Sequence, residues 1–511
     1  MGLLALQRLM SVKRKRRRRR RRSLARSRLT IALNEREDWP FLERVGDGDS
    51  QHGESETSNC STTYLPEDIW RHIHFLMPMR AAARAACLSR AFLRSWRCHP
   101  NLTLDWPTLC PWAHEENFSH NIDSILRNHS RIGLKAVKLN LGGEYGTFPN
   151  VNSWLRVAFT PGIQELRLNL YRKYNFPCSL LSDGVRNSIR HLELYSCVFR
   201  PTAELGPLRS LTSLTLGRVR ITGDELECLL SNSLALEQLG LINCREIIFL
   251  KIPCVLQQLS FLRVDGWCKL RVIECKAPNL SSIDYIGEEV KLSLGEPSQM
   301  KKLHMHHPNV VYYARAELPS YMPYLETLEI SSGTEVFNTP MLPTKFLHLK
   351  HLTINIRDGT ISPSYDYFSL VSFFEASPSL ETLFLDVSQV DMKHESVFGG
   401  SSHLRQLPEH QHNCLKSVKI IGFSSAKSLV ELACCIVKNA DSLERLTLDT
   451  LRDWGRCSGE PFNETCWPIS NAVLEEASRA VVAIRMYIED KVAPTAKLTV
   501  LEPCTKCYPS G

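Results

Sequence analysis

The sequence predicts an α/β chain in which a small helical unit precedes a long solenoid of parallel strands. Three observations predict it. An apolar pattern, spaced three residues and then two, recurs thirteen times between Leu134 and Leu448. Most intervals between copies fall between 20 and 29 residues, the length of one supersecondary unit in a stacked array. Ahead of the copies, residues 64–97 show helical periodicity, with Ile69, Ile73 and Leu76 spaced four and three apart.

Length and composition agree with an extended array. A chain of 511 residues is too long for one compact core and calls for several units or a solenoid. The net charge of +8 misleads, because residues 1–28 hold thirteen Lys and Arg and no acid, which leaves −5 for the rest. The basicity belongs to a tail. The 18 Cys follow no framework spacing. Those in apolar runs (Cys87, Cys197, Cys244, Cys434) read as small buried hydrophobes in a reducing compartment rather than as a disulfide scaffold. No stretch of about 18 apolar residues offers a membrane span, and the start lacks the apolar region of a secretory signal. The sequons at Asn101 and Asn117 then read as chance matches.

From the N-terminus, residues 1–62 are expected to be a disordered basic tail and linker, since the unbroken run Lys13–Arg22 repels itself and offers nothing to bury. Order begins near Tyr64. Pro66, Glu67 and Asp68 suit a first helical turn. Pro78 interrupts, an Ala-rich helix follows from Met79, and a third helix runs through Phe92 and Trp96. Three short helices make too small a core to stand alone and need a docked neighbour or a partner. Residues 101–133 read as a helical linker and N-terminal cap.

The thirteen copies begin at Leu134-Val137-Leu139 and end at Leu443-Leu446-Leu448. Each predicts one short strand whose alternate residues enter a shared core, and parallel pairing of neighbours builds a curved array over residues 134–450. This is the leucine-rich-repeat pattern. The long intervals after Leu349 and Leu380 read as surface insertions, within residues 355–413. In the C-terminal region, 451–511, a helix over 471–489 and a strand over 496–501 would cap the open end.

Residues 64–97 resemble the F-box in Leu65-Pro66-Glu67-Asp68-Ile69, Ile73, Leu76, Pro78, Leu88-Ser89-Arg90 and Trp96, which sets that unit at 63–100. The rest resembles plant F-box/leucine-rich-repeat proteins, including those with an FBD-like tail, carried by Ser428–Leu432 through Ser442–Leu446. The resemblance implies a non-enzymatic adaptor of a Skp–cullin–F-box type ubiquitin ligase. Leu65, Pro66, Ile69, Ile73, Leu76 and Pro78 would dock a Skp-type linker of the cullin–RING ligase, and the repeats would capture an unknown protein substrate. The alternative is a non-degradative interaction scaffold. Met79-Arg80-Ala81 departs from the family, which often has an acid after the Pro.

Other motifs carry less. The basic run holding Lys13, Arg14, Lys15, Arg16 and Arg17 fits nuclear import, a nucleic-acid or membrane contact, or a solvated tail, so the chain is expected in nucleus and/or cytoplasm. Nucleic acid is not an expected partner except through that tail, and no membrane partner is expected. Cys504 and Cys507 form a lone CxxC, half of a zinc site, so no metal and no cofactor are expected. No GxSxG, P-loop, HExxH or GxGxxG occurs. Strand alternation turns Arg263, Asp265, Asp284, His304, His306, Glu329 and Phe384 away from the core, as a candidate substrate row on the concave face. Asp386, Lys419, Ile421, Thr447 and Asp449 would extend it.

Overall fold

A computed structural model describes residues 66–109, 116–142, 148–171, 174–202, 205–266, 269–295, 299–356, 365–387, 394–399, 403–406, 409, 411–451, 469–504 and 507. All fall in one unit, Leu65–Gly511. The thirteen copies each form a strand: β2 (Ala136–Asn140), β3 (Glu165–Asn169), β4 (His191–Tyr195), β5 (Ser213–Gly217), β6 (Gln238–Ile242), β8 (Phe261–Asp265), β10 (Ser282–Ile286), β12 (Lys302–His306), β13 (Thr327–Ser332), β14 (His351–Ile356), β15 (Thr382–Val387), β16 (Ser417–Ile421) and β17 (Arg445–Asp449). With β1 (Asn101–Leu104) and β18 (Lys497–Leu501) they make one fifteen-stranded sheet in chain order. Its pairings are all parallel. The α/β solenoid fold is thereby observed.

The register follows from what each strand buries. In β4 and β5, Leu192, Leu194, Leu214 and Leu216 are fully buried while the residues between them reach the surface. Each such leucine stabilises the fold by roughly 1.5–3 kcal/mol. A slip of one residue would turn the whole set outward. Cys197, Val219 and Cys244 follow their strands inward and are buried, whereas Cys87 is exposed, against its sequence reading, because its helical turn faces away from the array.

A second sheet was not legible in the repeat pattern. β7 (Phe249–Ile252), β9 (Val272–Cys275) and β11 (Lys291–Leu294) form three parallel strands on the far side of the core. They fall where Leu236, Leu259, Leu280 and Met300 lie only 23, 21 and 20 residues apart. So short a return leaves room for an extended segment and not for a helix. Longer repeats return through helices such as Gly223–Ser231, opened by a capping box from Thr222 and Glu225, and Lys427–Asn439.

Residues 101–133 are not a purely helical linker. Asn101–Leu104 is the first strand of the sheet, pairing with β2, and the helix Glu116–Asn128 follows it. Nor is the interval after Leu349 wholly a surface insertion: Tyr365, Tyr367, Phe373 and Phe374 are buried there, because the short helices Tyr367–Leu370 and Val371–Ala376 cover the core. Residues 1–62, including the basic run, lie outside the described residues. At the C-terminal end, the helix Asn471–Tyr487 buries Ala477, Ala480, Val481, Ala483 and Ile484, and β18 adds the last strand. Among the described residues no helix is long and apolar enough to cross a membrane.

The helical unit (Glu67–Leu76, Met79–Ala85 and Arg90–Arg97) is joined to the array by buried polar contacts. Ser89 caps the third helix by accepting from Phe92 N at 3.1 Å. His74, His99 and His129 are all buried. His74 Nε2 donates to Ala82 O (3.0 Å), His99 Nε2 to Met77 O (3.3 Å) and His129 Nε2 to His99 O (2.9 Å). Nδ1 of His129 accepts from Arg131 N, so that ring is a neutral Nε2–H tautomer, while Nδ1 of His99 lies 2.8 Å from Asn101 O. Burial holds the His74 and His129 imidazoles below their ordinary value. Met79, the departure from the family pattern, is buried with its sulfur 3.1 Å from Thr103 N. An acid there would place a charge against β1.

Gly422 tests the packing at the end of β16. Its φ is +72°, and an added Cβ would stand 2.1 Å from the Val387 carbonyl oxygen. Gly133 also has positive φ, but nothing lies within 4 Å of its Cβ position. Gly422→Ala should therefore destabilise by roughly 2–4 kcal/mol and Gly133→Ala by about 1 kcal/mol, read as the two shifts in thermal midpoint. Equal shifts would contradict the close approach.

Candidate functional site

Two surfaces are candidates for function. The first is the outer face of the helical unit. Pro66 and Pro78 are exposed and precede the first two helices. Ile69, Ile73 and Leu76 are exposed on the first helix. Leu65 lies outside the described residues. Sequence reasoning omitted three members of this face: Trp70, Leu88 and Leu93 are also exposed. Trp70 stands edge-on to Phe92, with ring centroids 5.7 Å apart. The signal was present, since Leu88 lies in the Leu-Ser-Arg text, but helical periodicity alone does not distinguish core from interface. The buried side of the unit (His74, Met79, Ala82, Ser95) faces β1 and the helix Trp106–Leu109. What remains outward is an apolar face of six large side chains, with Leu76 at 72% and Leu88 at 79% exposure.

The second surface is the concave row. Arg263, Asp284, His304, Glu329, Thr353, Phe384 and Lys419 are register partners on successive strands. The structure brings the middle of the row together as an ion-pair network. Arg263 Nη2 donates to Asp265 Oδ2 at 3.0 Å, and its Nε lies 3.6 Å from Asp284 Oδ2. His304 Nδ1 donates to Asp284 Oδ1 at 2.6 Å. That bond holds the Asp284 carboxyl below its usual range and the His304 imidazole above its own, against the opposing effect of burial. His306, half-buried one position on, is pushed down by burial and then by the His304 charge. Glu329 is exposed, and Lys419 Nζ lies 5.9 Å from the centroid of the half-buried Phe384 ring.

The row ends sooner than strand alternation implies. Asp386, Ile421 and Asp449 are buried, not exposed. Residues just past β16 and β17 cover Asp449, whose O accepts from Phe423 N and whose Oδ1 accepts from Leu451 N, each at 2.9 Å. His307 is buried with Nδ1 on Pro308 O, so the three neighbouring His do not share a face. Among the described residues no group of three or more His, Cys, Asp or Glu is placed to hold a metal.

Sequence reasoning also passed over the concave surface nearer the N-terminus. Lys138 pairs with Asp105 at 2.9 Å, and Arg167 pairs with Glu165 and Glu193. Tyr195 lies across Gly217, where an added Cβ would stand 2.1 Å from its ring, and Gly240 lies close against Thr215. Glycines inside strands were the available signal, since they mark a close approach.

Comparison with known proteins now adds to this geometry. Residues 125–505, well over half of the chain, match the family model described as "At1g61320/AtMIF1, LRR domain". The chain belongs to the plant F-box/leucine-rich-repeat family. Among its relatives in Arabidopsis thaliana, the FBD-associated F-box protein At1g61320 is 24% identical over 64% of this chain and 75% of its own length. The putative FBD-associated F-box protein At1g61330 is 21% identical over 75% and 90%. An internalin from Listeria monocytogenes aligns with 69% of this chain and 92% of its own, at 12% identity and a TM-score of 0.34, too low to bear on function. The F-box/leucine-rich-repeat family is of the protein-interaction type.

The network makes a titration prediction. The His304–Asp284 pair adds stability in full below the ordinary imidazole value of 6.5, and loses it as pH rises through the raised His304 value. On the acid side it is present above the carboxyl's ordinary 3.8, and is lost as pH falls through the lowered Asp284 value. An NMR titration should place the His304 midpoint above 6.5 in the native chain and lower in Asp284→Asn. An unchanged midpoint would mean that the pair is not formed in solution.

Proposed function

We propose that this F-box/leucine-rich-repeat protein is the substrate-recognition adaptor of a Skp–cullin–F-box type ubiquitin ligase. The observation that carries the reading is the outward apolar face of Ile69, Trp70, Ile73, Leu76, Leu88 and Leu93 on a unit whose other side is already docked. A unit of this size gains nothing by exposing six such side chains unless a partner covers them. A Skp-type linker of the cullin–RING ligase is the partner that the F-box resemblance supplies. A standard interface of about 1,600 Å² would accommodate them. The array holds the concave row at a fixed place relative to that face. Its contribution is proximity: a bound substrate's lysines are kept at high effective concentration near the loaded conjugating enzyme.

For the substrate, the row from Arg263 through Glu329 presents both charge signs, with Phe384 beside it. Such a surface suits a protein partner with complementary polar groups better than a purely hydrophobic peptide. A non-degradative scaffold has no use for the apolar F-box face, and this separates the two readings.

Replacing Leu76 and Leu88 together by Asp should weaken binding of a purified Skp-type linker by at least about 100-fold, since each apolar anchor contributes roughly 1.5–3 kcal/mol. The thermal midpoint should not move, because both side chains are exposed. Undiminished linker affinity in isothermal titration would defeat the assignment of this face.

A further inference from the structure

The convex side changes construction between β11 and the next repeat, and a groove opens there. The three strands β7, β9 and β11 end at two edges. The β7 edge is covered: the helix Gly223–Ser231 packs on it, so close that a Cβ on Gly223 would lie 2.6 Å from Phe249 O. The β11 edge instead borders a groove of about 880 Å³, whose far wall is the helix Val310–Ala316, the helix Leu318–Tyr321 and Phe337.

The edge is hydrogen-bonding backbone. Lys291 N donates to Arg271 O at 3.0 Å and Gly295 N to Cys275 O at 2.8 Å. In a parallel ladder the bonded residues alternate. Lys291, Ser293 and Gly295 therefore turn their backbone groups to β9, and Leu292 and Leu294 turn theirs to the groove. No strand among the described residues pairs with that side. The far wall is aromatic. Tyr312, Tyr321 and Phe337 are exposed, and the Tyr312 and Phe337 rings are 5.6 Å apart. Glu289 and Glu317 place two carboxylates on the rim against the single ammonium of Lys291.

We propose that this groove docks an extended, basic segment of a partner protein as a fourth strand beside β11. Backbone pairing to Leu292 and Leu294 supplies affinity and direction, as in other strand-addition sites. Charge complementarity selects Arg or Lys at positions that reach Glu289 and Glu317, where guanidinium groups also lie over tyrosine faces. Alternation then puts apolar side chains of the segment toward Phe337 and Leu292. The site lies apart from the concave row, so substrate could be held on one face while a regulatory or second segment is held on the other.

The test uses the full chain and a fluorescent peptide, Arg-Val-Arg-Val-Arg-Val, read by anisotropy. Saturable binding below about 1 mM is expected. It should weaken about tenfold or more for the same peptide with N-methylated backbone, and likewise for the chain carrying Glu289→Lys and Glu317→Lys. A Glu-Val peptide should not bind. Both substituted residues are exposed, so folding is spared, and an unchanged thermal midpoint of the doubly substituted chain checks this independently of the ligase reading. Three results would overturn the proposal: no binding of the Arg-Val peptide, equal binding of its N-methylated form or of the Glu-Val peptide, or undiminished binding by the substituted chain. Concentration-dependent self-association that blocks the peptide would also overturn it, by assigning the groove to a second copy.

Discussion

The parallel ladder is the constraint on which the rest of this structure depends. Fifteen strands pair in chain order, and all but the last contribute an alternation of buried and outward residues. The shared core of leucine, isoleucine and valine makes the register costly to change, because a one-residue slip would exchange core and surface along the whole strand. Everything functional inherits that rigidity. The register places Arg263, Asp284, His304 and Glu329 side by side on consecutive strands although their sequence positions are 20 or more residues apart. It also fixes β1, onto which the helical unit docks.

Docking explains why so small a helical unit can keep a large apolar face in solvent. Met79, His99 and His129 tie it to the first strand and to the helix that follows through polar contacts, and Met79 and Trp96 add apolar packing against the core. A buried polar contact that is fully partnered specifies one geometry, and loses much when one partner is removed. The unit is thus oriented on the array. The ion-pair network on the concave row works similarly: Asp284 is held between Arg263 and His304, so these side chains are held in one arrangement rather than free to search.

Much of this was legible in the sequence, for physical reasons. The three-and-two spacing is dictated by strand alternation plus the turn into the core, so each of the thirteen copies marks a strand. β1 escaped because His99 occupies the place of the first apolar residue, ahead of Leu102 and Leu104; it is buried there all the same, its ring satisfied by backbone groups. β7, β9 and β11 escaped because Phe249–Ile252, Val272–Cys275 and Lys291–Leu294 are four residues each, too short for periodicity to tell a strand from a loop. The concave row was legible at Arg263, Asp284, His304 and Glu329 but not at its end. The burial of Asp449 arises in part from the chain that follows β16, where Phe423 N donates to Asp449 O, a long-range contact with no local pattern. The outward face of the helical unit could be read only as apolar: Ile69, Ile73 and Leu76 have the spacing of a core stripe, and only the packed array shows which side is already occupied.

Hydrogen exchange of the full chain with and without a purified Skp-type linker tests the central claim most directly. Protection should appear on amides of residues 66–97, strongest in the first helix and around Leu88, with the strand amides of β2–β17 unchanged. Protection confined to the array, or a linker that leaves the helical unit exchanging as before, would contradict the adaptor reading.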